Sequence, residues 1–299
     1  SEPILDKYIG LFFEIFFYGK MQGIFTVLFG VSSVLIIDKL VRRENAAWEV
    51  RFYFYRLLWL AMFGLLNAYA LLWWGDVLFK YAVVGVLLFP LRLFSTKSLL
   101  SVLFVGFTLI TTQAVLDYAE VVNLQERVVG IQGKGQQGRA LSADEERLAS
   151  DLWEIQLDLR PDFNFIDEEV EIKTGNYSRL FGYNAGRAYE EQTTIFVTED
   201  FLEILLYMIL GVVLARLNFF ADLGFRRRVH ILIAFGGLGV GALVHSWLNI
   251  GLYVKRLDPI SVRYYEIFFE LGRLPFVLGY LGVIILAFRM RFLRSAGGC

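Results

Sequence analysis

Asp76 and Lys80 stand four residues apart at the start of an apolar run, a spacing that puts carboxylate and ammonium on one helical face, where opposite charges attract. Charges in or at the edge of a run able to cross a bilayer are costly, so Lys20, Asp76 and Lys80 need partners or a function. The pair reads either as an interfacial helix cap with a salt bridge or as a carboxylate at the mouth of a cavity, orienting a substrate or relaying a proton. Of the two histidines, His245 lies inside an apolar run and His230 at its start, beside Arg228. A histidine so placed is either a hydrogen-bonded packing residue or a general base. Their separation of fifteen residues is about four helical turns, which builds no metal site, and no metal is expected. Glu266, Glu270 and Arg273 recur at i, i+4 and i+7. That stripe reads first as a snorkelling interfacial cap and second as the lining of a cavity.

The elements that position these groups are apolar helices. The chain of 299 residues is 57% hydrophobic and 16% aromatic with five prolines, and its mean hydropathy is +0.54, a composition for membrane helices rather than one soluble core. The net charge of −1 conceals an asymmetry, with acidic residues concentrated between Asp117 and Asp200 and arginines in short segments elsewhere. Nucleic acid is not an expected partner; the lipid bilayer is. Cys299 is the only cysteine, which excludes an internal disulfide or a cysteine metal cluster. No removable signal peptide is visible at the start.

A span needs about 20 mostly apolar residues. By that rule seven are expected, over Lys20–Asp38, Phe52–Trp74, Val77–Phe94, Ser98–Leu116, Phe201–Phe219, Val229–Tyr253 and Glu266–Met290. The fold class is therefore all-α, a polytopic membrane helical bundle. Residues 1–116 form a first membrane region with four spans, 117–200 an acidic soluble segment, and 201–299 a second membrane region with three. Only Gly75 and Asp76 separate the second and third spans, which makes a tight hairpin. Ile9–Phe17 is too short to span and, with Glu14 inside it, reads as interfacial or re-entrant. If the spans alternate, Lys39, Arg42, Arg43, Arg51, Arg92, Lys97, Arg226 to Arg228, Arg289, Arg291 and Arg294 share one side. By the positive-inside rule that side is the cytoplasm, and the acidic segment is extracytoplasmic. Lys255, Arg256 and Arg263 are the awkward exceptions.

Within the acidic segment, Gly130–Gly138 reads as a linker, because no Gly-Lys-Ser/Thr follows its glycines. Ser142-Ala-Asp-Glu145 is a capping box, and Leu148, Leu152, Ile155 and Leu159 recur at helical spacing until Pro161. Asn176-Tyr-Ser178 reads as an accidental sequon. Gly236, Gly237, Gly239 and Gly241 follow no strand and so form no dinucleotide fingerprint; they read as close helix packing, as do Gly19, Gly23 and Gly64 with Ala68.

Three motifs, Phe-Phe-Tyr-Gly-Lys20-Met-Gln-Gly-Ile-Phe25-Thr-Val-Leu-Phe-Gly30, Arg56-Leu-Leu-Trp-Leu-Ala-Met-Phe-Gly64-Leu-Leu-Asn67-Ala and Trp74-Gly-Asp76-Val-Leu-Phe-Lys-Tyr81-Ala-Val-Val-Gly85, closely resemble the YeiB-like family of bacterial multipass membrane proteins. Gly175-Asn-Tyr177, Leu210-Gly211-Val-Val-Leu-Ala-Arg216 and Gly279-Tyr280 resemble its later segments more weakly. The resemblance implies the bacterial inner membrane and a distant relation to membrane acyltransferases of the heparan glucosaminide acetyltransferase type. An acyl-CoA donor and a lipid or envelope-glycan acceptor would follow. The family's usual first and last segments are absent, so the chain resembles a member truncated at both ends. The family's usual His stands as Asn67 here, and an amide cannot serve as a base.

On this reading the catalytic candidates are His245 and Asp76, and the substrate-binding candidates are Lys20, Asn67, Lys80, Tyr81 and Arg273. Lys20, Asn67, Asp76 and Lys80 are expected to converge in one polar cavity. Acyl transfer to an envelope molecule is one function this allows. A transporter with Asp76, Lys80, Glu203 and His245 on a substrate or proton path is the second, and a structural membrane partner without catalysis is the third.

Overall fold

The structure is a computed structural model and describes residues 4–41, 46–135, 142–148, 150, 152, 163–220, 227–255 and 258–296. Among them every regular element is helical: α1 (Ile4–Phe16), α2 (Lys20–Val41), α3 (Ala46–Tyr69), α4 (Leu78–Leu91), α5 (Thr96–Gly135), α6 (Phe163–Thr174), α7 (Tyr177–Glu190), a π-helical stretch (Glu191–Asp200), α8 (Phe201–Arg216), α9 (Arg227–Lys255) and α10 (Pro259–Ala296). Among the described residues four segments are long and apolar enough to cross a membrane, Tyr8–Ile36, Thr96–Ile131, Arg227–Leu252 and Pro259–Arg289. Their outward faces are apolar too: Phe104, Leu232, Phe235 and Leu243 are all more than 70% exposed, a surface that water would not tolerate over so wide an area. Of the other expected spans, α3 carries Glu49, Arg51 and Arg56, α4 has 14 residues and α8 has 16. The length rule alone does not make spans of them.

Expected boundaries shift where hydrogen bonds decide them. Ile9–Phe17 is not separate from the first span: α1 and α2 form one apolar stretch broken at Phe17–Gly19. The break is a glycine C-terminus, with Phe17 and Tyr18 N–H both reaching the Phe13 carbonyl and Gly19 at φ +70°. The hairpin between α3 and α4 has no two-residue turn. Residues 70–77 form a loop with Leu72 at φ +59°, and Trp73 N–H donates to the Asn67 carbonyl. The helix α5 runs on through Leu116 and Asp117, and α7 continues through the π-helical stretch into α8. Gly130–Gly135 is therefore helical rather than linker, while 136–138 lie outside the described residues. The capping box forms, Ser142 N–H donating to Glu145 Oε2 at 2.9 Å and Glu145 N–H to Ser142 Oγ at 3.3 Å. Ile155, Leu159 and Pro161 of its expected helix lie outside the described residues, as do Arg42, Arg43, Arg226 and Arg256.

The core is α8. Ile204, Leu206, Met208 and Ile209 are at most 1% exposed and pack against Val84, Leu88, Leu99 and Leu103 of α4 and α5. On its other side α8 meets α2 at glycines: a Cβ on Gly30 would lie 2.1 Å from the Met208 carbonyl, and one on Gly211 2.1 Å from the Val27 carbonyl. These helices touch backbone to backbone. The pair α9–α10 packs the same way at Gly237 and Gly241, but Gly236 and Gly239 face open space, so only half of that glycine cluster serves packing.

Candidate functional site

The buried polar side chains collect toward one end of the bundle, where α2, α4, α8 and α10 begin and α9 approaches its finish. Breaking the first apolar stretch at Gly19 frees the last carbonyls of α1, and cations answer them, as expected at the negative end of a helix. Lys20, fully buried, donates to the Glu14 carbonyl at 2.8 Å. Arg273 Nε donates to the Gly19 carbonyl at 3.0 Å and the Tyr280 hydroxyl to the Phe16 carbonyl at 2.8 Å.

His245 is fully buried beside Lys20, its Nδ1 3.4 Å from Lys20 Nζ and 3.2 Å from the Tyr265 hydroxyl. An ammonium can only donate, so Nδ1 is the accepting nitrogen and the ring proton belongs on Nε2. That nitrogen has no hydrogen-bond partner, and it rests against Gly272, where any Cβ would come within 2.8 Å of it. Phe269 and Phe276 flank both His245 and the Lys20 ammonium. Beside this cluster, on the α9–α10 seam, lies a cavity of about 150 Å³ lined by Trp247, Leu248, Ser261, Tyr264 and Tyr265 among others.

Arg273 is 3% exposed and pairs with Glu203 at 2.6 Å and Glu270 at 3.1 Å. Its guanidinium lies over Tyr207, whose hydroxyl donates to Glu270 at 2.8 Å. The expected snorkelling stripe is thus corrected. Glu270 and Arg273 point into the core because Arg273 neutralises both Glu270 and Glu203 of α8 there, and only Glu266 stays at the periphery, paired with Arg263 at 2.8 Å.

The remaining candidates form separate clusters. Lys80, 4% exposed, pairs with Glu191 at 2.9 Å and Asp200 at 2.5 Å from the two ends of the π-helical stretch, and not with Asp76 four residues before it. Asp76, 2% exposed, has both oxygens engaged elsewhere, accepting from Asn67 Nδ2 at 2.9 Å and from Phe79 N–H at 3.0 Å. It caps α4, and Gly64 makes room, since a Cβ there would meet Asp76 Oδ2 at 2.6 Å. The Tyr81 hydroxyl lies 2.5 Å from Thr26 Oγ1. Lys20, the Asn67–Asp76 pair and Lys80 thus have no partner in common, and their expected convergence in one cavity gives way to three clusters. His230 is a packing residue, its Nε2 2.9 Å from the Phe219 carbonyl.

Sequence reasoning passed over Tyr207, Tyr265, Glu191 and Asp200. A tyrosine inside an apolar run looks like packing until a partner is found for its hydroxyl. Two carboxylates at the edge of an acidic segment look solvated until a lysine is placed between them. Among the described residues no cluster of His, Cys, Asp and Glu could hold a metal.

Compared with protein families, curated proteins and solved structures, the chain matches none.

Proposed function

We propose that the chain is a seven-span protein of the bacterial inner membrane, with residues 117–200 on the outer side, that transfers an acyl group to a hydroxyl of an envelope molecule. The observation that carries this reading is the connection from the seam cavity through the Tyr265 hydroxyl to His245 Nδ1. A base held by a neighbour and reached through a phenol beside a cavity is an arrangement for moving a proton. The acceptor hydroxyl gives its proton to Tyr265 Oη while the tyrosine proton passes to Nδ1. The acceptor oxygen then bonds to the acyl carbon of a thioester donor, the C–S bond breaks, and the proton returns to the departing thiolate. The lysine and arginine asymmetry supports the orientation, and the resemblance to the YeiB-like family supports the reaction class and an acyl-CoA donor. Asp76 takes no part in this proton path, since both its oxygens are engaged in its own cluster with Asn67 and the first turn of α4.

Purified protein supplied with acyl thioesters and hydroxyl acceptors tests the reading by thiol release. His245→Ala and Tyr265→Phe should abolish release with the helical content unchanged. If the protein neither carries nor transfers an acyl group from any thioester supplied, acyl transfer is wrong.

One observation favours transport instead: ionisable groups run from Lys80 and Asp200 to Glu203, Arg273 and Glu270, beside a span broken at Gly19. Proton uptake by proteoliposomes that Glu203→Gln removes would favour that reading.

A further inference from the structure

A second site lies away from the His245 cluster, on the opposite flank of α2. Met21, Phe25 and Leu28 of α2 face Leu78 and Tyr81 of α4 across an open groove of about 580 Å³, and Arg56 of α3 lines it beside Ser32. Its walls are apolar apart from that guanidinium and a few small polar groups. The volume falls within the roughly 300–1,000 Å³ of small-molecule sites.

Arg56 is the anomaly. Its Nη2 donates to Ser32 Oγ at 3.1 Å and its guanidinium lies 4.8 Å from the Phe29 ring centroid. Its Nη1 is buried with no hydrogen-bond partner, and among the described residues no carboxylate pairs with it. Arg92 and Arg289 also leave Nη1 buried without a partner, but of the three only Arg56 lines the groove, where it has a hydroxyl and a ring for company. A guanidinium inside an apolar stretch without an anion calls for one from outside the chain, and its fork suits the oxygens of a phosphate.

Depth argues for a lipid. Ser32 lies four residues before the end of the apolar stretch Tyr8–Ile36, which places the guanidinium about 6 Å inside that end. From Ser32 back to Met21 the groove follows eleven residues of α2, about 16 Å, so it runs from about 6 to about 22 Å below that end and reaches past the midplane of a hydrocarbon core about 30 Å thick. A phosphate at Arg56 would leave one acyl chain just long enough to fill the groove as far as Met21.

We propose that Arg56 and Ser32 bind the phosphate of a bilayer phospholipid whose acyl chain occupies the α2–α4 groove. The lipid belongs to the leaflet at the Arg56 end. Its binding does not depend on the acyl-transfer reading, because none of the groove residues belongs to the His245 cluster.

The test reconstitutes the full chain in vesicles of phosphatidylethanolamine and phosphatidylglycerol, re-extracts it in mild detergent and counts retained lipids by native mass spectrometry. Wild type should keep one phospholipid. Arg56→Gln should lower its occupancy about ten- to a hundredfold, the worth of a hydrogen bond to a charged group, and Leu28→Trp, which fills the groove and spares the arginine, should expel it. In wild type, a diacylglycerol with the same tails should not compete. The proposal is overturned if Arg56→Gln retains the phospholipid as wild type does. It is also overturned if diacylglycerol displaces the phospholipid equally, since the groove then reads tails alone, or if free oleate is retained in preference. Should Arg56→Gln fail to fold, the wild-type competition decides by itself.

Discussion

Helices α5 and α8 are both strongly apolar, yet they occupy opposite environments. The α8 helix is buried all round and carries Glu203 and Tyr207 into the ion-paired end of the bundle. On α5, Phe104 is 76% exposed, and much of the helix faces outward with it. Hydrophobic periodicity does not distinguish them, because lipid is as apolar as a protein core. What distinguishes them is the small residue and the charge. Gly211 lets α2 approach to backbone contact, and a carboxylate at position 203 is tolerable only because Arg273 faces it.

The largest effect should come from removing that arginine. Arg273→Met leaves Glu203 and Glu270 facing each other without a cation, which should cost about 3–5 kcal/mol. A fall in the detergent-resistance midpoint of purified protein would register it. A variant as stable as wild type would mean that the two carboxylates find other partners and that α8 is not held by charge.

The contact of α8 with α2 should come next. Gly211→Leu drives a side chain into the Val27 carbonyl and should cost about 1–3 kcal/mol or more, whereas Phe104→Leu on the exposed face of α5 should leave stability unchanged in the same assay. Equal effects at the two positions would show that α5 is covered by a partner and that the contrast between the helices is false.

The smallest effect belongs to the pair outside the membrane-spanning segments. The Lys173 ammonium, 3.0 Å from Glu169, holds that carboxyl below its ordinary range, with help from Tyr183 and Arg187. A carboxyl lowered in the folded state stabilises it above the ordinary carboxyl range, and the contribution fades as pH falls through the lowered value. The protection factors of the α6 and α7 amides, exchange rates corrected for their intrinsic pH dependence, should therefore fall on acidification, and Lys173→Gln should reduce that dependence. The pair is solvated, so the change should stay below about 0.5 kcal/mol, far less than at Arg273.

Much of the helical framework was legible from residues alone, and the reason is local. A run of apolar residues must be helical wherever it meets lipid, because no water is there to satisfy its backbone, and the capping box at Ser142 needs only four consecutive residues to form. The need of Lys20, Asp76 and Lys80 for partners was equally readable, as a cost per charge. Which partners they take was decided only by tertiary structure. Lys80 bonds residues more than a hundred positions away, and Arg273 bonds the Gly19 carbonyl 254 positions away. No periodicity records such distances. Asp76 pairs with Asn67 instead of Lys80 because the loop at 70–77 turns its carboxylate back toward α3 and onto the first turn of α4. The sequence by itself determined that buried charges must be neutralised; the crossing of α2, α8 and α10 decided which anion meets which cation.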